Sequence, residues 1–146
     1  MTIQELSTLG ESQIKDALSL ISELTSNVTV KPEVLRKTVA SPYCHFFAIV
    51  EDNDCIIGCA TLCVYNSPTG QKASLEYVVV SSQYRGQGLG MLLVKRVIEY
   101  AKSELRDVDI HLTSRPFRVA ANKLYQKMGF EKRETNAYEM RIRKGD

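Results

Sequence analysis

The chain has 146 residues, 44% of them apolar and 25% charged, with a net charge of +2. That length fits one domain, spanning residues 1–146, whose core needs no metal or disulfide staple. So small a charge excludes broad phosphate neutralisation as a binding principle, and no nucleic-acid partner is expected. No apolar run approaches the roughly 18 residues needed to cross a bilayer. Met1–Gly10 lacks the basic and apolar regions of a secretory signal, so the expected setting is cytoplasmic, with no membrane partner.

In that setting Cys44, Cys55, Cys59 and Cys63 are expected to be reduced. Cys59 and Cys63 fall in a strand-like stretch, where four residues span about 13 Å. Two thiolates that far apart cannot share one zinc at about 2.3 Å each. The cysteines therefore read as small core hydrophobes, and no metal is expected.

In chain order, Thr2–Leu6 reads as a short strand. Glu11–Thr25 carries Ile14, Leu18, Ile21 and Leu24 at helical spacing. Pro32 suits the first turn of a second helix ending near Ala40. Phe46–Val50 and Cys55–Tyr65 are rich in β formers, with a hairpin turn at Asp52-Asn53-Asp54. After a turn cluster at Asn66–Gly70, Ser74–Val80 makes a third strand of the meander. Leu89–Glu104 is helical, with Leu89, Leu93, Val97 and Ala101 forming one stripe. Val108–Thr113 is a strand, Pro116–Met128 a helix stopped by Gly129, and Tyr138–Ile142 alternates as a final strand. The order βααβββαβαβ predicts an α/β (α+β) fold, a mixed central sheet flanked by helices.

The most informative stretch is VVVSSQYRGQGLGMLLVKRV. A strand ends, a turn follows, and a helix opens through Gly86, Gly88 and Gly90. A helix N-terminus offers unpaired N–H groups and the positive end of its dipole, and glycine lets a ligand approach that backbone. These features suit a phosphate. A Walker A loop would need Gly-Lys-Ser/Thr, but Met91 and Leu92 follow Gly90. A dinucleotide fingerprint counted from Gly86 would need glycine where Met91 stands.

Arg85-Gly86-Gln87-Gly88-Leu89-Gly90, the preceding strand Leu75–Val80 and the later Ala121–Phe130 together resemble the GNAT (general control-related N-acetyltransferase) superfamily. The resemblance implies an N-acetyltransferase that moves acetyl from acetyl-CoA to an amine of a small molecule, peptide or protein. It also implies that the amides of Arg85, Gly86, Gln87, Gly88, Leu89 and Gly90 bind the cofactor's pyrophosphate. The backbone of Val78, Val79 and Val80 would pair with pantetheine beside a splayed strand. Tyr125 matches the position that protonates the leaving thiolate in many members. Where the family often has Asn, seven residues before that tyrosine, this chain has Arg118, so no asparagine role is carried over.

Glu76 is the candidate base. A similar Glu occurs in glucosamine-phosphate members. Strict alternation puts it on one face with Val78 and Val80 unless a bulge intervenes; its bland alternative is a solvent-facing strand residue. His45 and His111 read as structural, and Arg115, Arg118, Lys123 and Lys127 as a basic helix face. A second class of function keeps the pocket without chemistry, as an acyl-CoA sensor or interaction domain. The amine acceptor carries no recognisable code. A homodimer is compatible with the frequency of two-fold assembly among soluble proteins, although no sequence signal specifies it.

Overall fold

A computed structural model describes residues 1–25 and 27–145. The elements, in order, are β1 (Thr2–Leu6), α1 (Glu11–Leu24), α2 (Pro32–Ala40), β2 (Cys44–Val50), β3 (Ile56–Ser67) and β4 (Gly70–Val80). After a 3-10 turn at Ser82–Tyr84 come α3 (Leu89–Tyr100), β5 (Asp109–His111) and α4 (Val119–Lys127). The five strands form one sheet in sequence order. The pairs from β1 to β4 are antiparallel, and β4–β5 is parallel. The parallel step is where α3 crosses over, as a parallel neighbour requires.

Alternation along β2 sorts the core onto two faces. Phe46, Ala48 and Val50 point to α1 and α2, where Ala17, Leu20, Leu35 and Val39 meet them. Phe47 and Ile49 point the other way, against Leu89, Leu93 and Val97 of α3. Leu93 is completely enclosed (0% exposed). Leu93→Ala should therefore destabilise the fold by about 2–5 kcal/mol, read as a lowered midpoint in urea unfolding at unchanged slope.

Helix α3 begins on Gly88, whose left-handed φ of 75° an L side chain adopts only at a cost. It continues past Tyr100 as a wider π turn, Ala101–Leu105, closed by the Arg106 amide donating to the Ala101 carbonyl at 2.7 Å. Helix α4 starts later than its sequence pattern predicts, because Arg115–Arg118 form a turn closed by Arg118 N–H donating to the Arg115 carbonyl.

The predicted final strand at Tyr138–Ile142 does not form: the segment has no ladder partner. Tyr138, Met140 and Ile142 are all exposed, and Glu139 instead pairs with Arg141 two residues along the same segment. Alternation prepares a strand, but only a neighbouring strand satisfies its backbone.

Candidate active site

The site grows out of β4. Below it, Lys72, Ala73 and Ser74 are paired with Asp109, Ile110 and His111 of β5. Above Ser74 that pairing ends, while β4 runs on to Val80. From Leu75 to Val80 the strand is therefore held on its β3 side and open on its β5 side. The ladder with β5 thus stops short of Val78, Val79 and Val80.

Within this open stretch the strand is irregular. Glu76 lies opposite Thr61 and Val79 opposite Cys59, so Tyr77 and Val78 together face the single residue Ala60. This is a β-bulge, and Tyr77 absorbs it at φ 51°. Positive φ at a bulky residue is strained and persists only where its surroundings enforce it.

The bulge corrects one expectation. Glu76 does not share a face with Val78 and Val80. It emerges on the α1/α2 side together with Val79, while Val78 and Val80 pack on the α3 side. Glu76 is exposed, and its Oε1 accepts the Ser74 hydroxyl at 2.7 Å.

Beyond Val80 the chain makes the glycine turn. Ser81 N–H donates to the Ile57 carbonyl at 2.8 Å, anchoring the turn to β3. Gly86 and Gly88 take φ of 81° and 75°, and a Cβ built on either would meet nothing within 4 Å. The segment Arg85–Gly88 is exposed. Its glycines are required by backbone conformation, and the space before them is open. Helix geometry leaves the first amides of α3, at Leu89, Gly90 and Met91, without intrahelical acceptors. The result is an exposed turn whose open glycine positions lie next to unpaired helix N–H groups. Arg85 itself turns away, donating from Nε to the Val80 carbonyl at 3.4 Å and from its guanidinium to Glu23 of α1 at 3.5 Å.

Tyr125 lies in α4. Its ring is almost enclosed and stands edge-on to Phe130, centroids 5.9 Å apart, with Phe130 packed on the α3 side of the sheet. Burial holds its phenol above the usual tyrosine value, partly offset by Arg118. Among the described residues its hydroxyl takes no hydrogen bond, yet it is not a sealed atom, so it reaches solvent. Glu76 thus emerges on the α1/α2 face of the sheet, while Tyr125 packs on Phe130 of the α3 face.

Two features had no signal in the sequence. The Ser114 hydroxyl, between β5 and α4, is buried without a hydrogen-bond partner. A buried orphan hydroxyl is rare and marks a place for a water or ligand group. Beside the glycine turn lies a cavity of about 280 Å³ lined by Asp16, Glu23, Glu51 and Tyr84. The neighbouring Glu51 raises the pKa of the Tyr84 phenol.

His45 is less isolated than its sequence context suggests. Nδ1 lies 3.1 Å from Glu5 Oε2 and Nε2 3.2 Å from the Tyr100 hydroxyl. The cluster sits at the end of α3 opposite the glycine turn, and it ties β1, β2 and α3 together. Among the described residues no group of three or more His, Cys, Asp or Glu could hold a metal. No helix among them is long and apolar enough to cross a membrane.

The sequence resemblance implies a splayed strand feeding a glycine turn at a helix N-terminus, and comparison with known proteins supports the same family. Residues 15–130 match the Acetyltransferase (GNAT) family. The chain belongs to this family. Over 88 residues it is 34% identical to N-acetyltransferase 8B of Rattus norvegicus, covering 59% of this chain and 39% of that protein. N-acetyltransferase family 8 member 2 of Rattus norvegicus is 36% identical over 88 residues, 59% of this chain and 38% of its own length. The chain thus spans well under half the length of the curated relatives it matches. Among solved structures, a candidate acetyltransferase of Agrobacterium tumefaciens str. C58 superposes with a TM-score of 0.79 at 22% identity, covering 97% of this chain and 100% of that one. Glucosamine-6-phosphate N-acetyltransferase from Arabidopsis thaliana gives 0.73 at 20% identity, covering 96% and 99%. At such identities the likeness concerns the fold, which this GNAT chain shares along nearly its whole length.

Proposed function

We propose that this GNAT chain transfers the acetyl group of acetyl-CoA to an amine by direct attack within a ternary complex. The observation that carries the reading is the continuity of three features: the open edge of β4, the bulge at Tyr77, and the glycine turn whose Gly86 and Gly88 leave space for a diphosphate. A bound acetyl-CoA would supply the activated thioester.

The amides of Leu89 and Gly90, with those of the turn from Arg85 to Gly88, would hold the pyrophosphate. The backbone of Val78, Val79 and Val80 would pair with pantetheine, since that edge of β4 has no strand neighbour. An amide on the strained bulge would donate to the oxyanion, where a fixed dipole is worth more than in water.

A lysine-like amine has a reference pKa near 10.4, so a proton must leave it before it attacks. Glu76, on the face opposite Val78 and Val80, would take that proton directly or through water. Tyr125, held in its neutral form by burial, would give a proton to the departing thiolate. Burial raises its pKa from the usual tyrosine value, so the acid stays loaded across the neutral range and is lost only at more alkaline pH than for an ordinary tyrosine.

Tyr125→Phe should lower kcat by about 10²-fold, the usual worth of a positioned acid, and leave acetyl-CoA affinity within about twofold. The assay follows release of the CoA thiol across an amine library, with affinity from titration calorimetry. Unchanged kcat would remove Tyr125 from the chemistry. Parent protein that binds acetyl-CoA but acylates no amine would favour the sensor reading.

A further inference from the structure

We propose that Cys44 and Cys63 form a reversible modification site, a paired dithiol that closes to a disulfide by exchange with a small disulfide of the oxidised-glutathione type. The two residues are direct partners across β2 and β3, with their sulfurs 3.8 Å apart. Val64 N–H donates to the Tyr43 carbonyl at 2.8 Å, so the next pair inward, Cys44 and Cys63, occupies a non-hydrogen-bonded position of the ladder. At such positions the Cα atoms stand about 4.5 Å apart and the side chains lean together. That separation falls inside the window of about 4.4–6.8 Å that a disulfide bridges. Side-chain rotation closes the remaining gap with both strands in place.

The other two thiols do not compete. Cys59 is buried, and its burial pushes its pKa up to about 12. Cys55 lies outside the β2–β3 register that sets Cys44 against Cys63. Both Cys44 and Cys63 are half-buried and so remain within reach of a small reagent.

The order of events follows from their surroundings. Burial, the neighbouring Cys44 and the carboxylate of Glu76 hold Cys63 as a thiol, with its pKa pushed up to about 12. Cys44 is therefore the entry sulfur. Its thiolate attacks the small disulfide RSSR, one S–S bond breaks, and RS⁻ leaves with the proton that Cys44 gave up. With Cys44 capped, its negative charge no longer opposes ionisation of Cys63. Cys63 then loses its proton and attacks the Cys44 sulfur, expelling the second RS⁻. Two thiols are oxidised to one disulfide and one RSSR is reduced to two RSH. The closed bridge joins β2 to β3 on the face of the sheet from which Glu76 emerges.

The test incubates reduced protein with oxidised glutathione, alkylates the remaining thiols, and maps peptides by mass. The expected result is a Cys44–Cys63 linked peptide pair within one chain, two molecules of reduced glutathione released per chain, and Cys59 alkylated only after unfolding. Cys63→Ser should stop at a stable glutathione adduct on Cys44, and Cys55→Ser should behave as the parent. The parent result decides the proposal even where a variant folds poorly. Unlinked, fully alkylated Cys44 and Cys63 would overturn it. So would disulfides joining two chains, or a linked pair involving Cys55 or Cys59.

Discussion

Gly88→Val should weaken acetyl-CoA binding by at least about 10²-fold, which corresponds to about 2.7 kcal/mol. Gly88 sits at φ 75°, with nothing within 4 Å of where a Cβ would stand. In the free protein the substitution meets only the backbone cost of a left-handed L residue, about 1–2 kcal/mol and somewhat more for a β-branched one. On the proposed binding mode the same carbon would occupy space that the diphosphate needs. Hydrogen bonds to a charged group are worth about 1.5–3 kcal/mol each, so pushing the phosphates off two amides already exceeds the predicted loss. Gly88→Ala should show the same direction with a smaller loss of fold stability. Gly70→Ala is the control: its φ is 129° and its surroundings are open, but it lies in the β3–β4 hairpin, at the other end of β4 from the glycine turn. It should lower stability and leave affinity unchanged. Calorimetric titration with acetyl-CoA, beside urea unfolding of each variant, separates the two effects. Parent affinity in Gly88→Val would mean that the turn does not hold the diphosphate.

Much of the site was legible because its parts are local. A strand, a turn and a helix entered through alternating glycines can be read from one run of residues, and the structure gives Gly86 and Gly88 the positive φ that glycine signals. The helix stripe of Leu89, Leu93 and Val97 was legible for the same reason. What escaped depends on partners distant in the chain. Leu75–Val80 is composed like a regular strand, and nothing in it marks Tyr77 as a bulge; the bulge appears only when Glu76 and Val79 are set against Thr61 and Cys59. The closeness of Cys44 and Cys63 is likewise a fact of register. His45 gained its two partners from β1 and α3. The opposite error, the strand predicted at Tyr138–Ile142, came from reading alternation as sufficient when a ladder also needs a free neighbour in reach. Ser114 shows a third limit, since a hydroxyl becomes informative only once it is known to be buried and unpaired.

Deleting Tyr77 should leave a folded protein and reduce kcat/KM by more than about 10²-fold. The prediction rests on an unusual property of this position. Glu76 faces Thr61 and Val79 faces Cys59, so removing one residue between them restores one-to-one pairing with Ala60. Every remaining residue keeps its face: Glu76 and Val79 toward α1 and α2, Val78 and Val80 toward α3. The strained φ of 51° disappears, and the core loses nothing, because Tyr77 is exposed. Stability should therefore stay within about 1 kcal/mol of the parent, the span of ordinary surface changes and relieved strain. Function should not survive. The bulge sets the spacing between the Glu76 carboxylate and the backbone of Val78–Val80, and one residue of strand is about 3.3 Å. A misplacement of 1 Å in a reacting geometry already costs about 10²-fold. Tyr77→Ala separates backbone from side chain: it keeps the extra residue, so most of the activity should remain. If the deletion variant turned over as fast as the parent, the bulge would be a packing accident, and the oxyanion donor would have to lie elsewhere on β4.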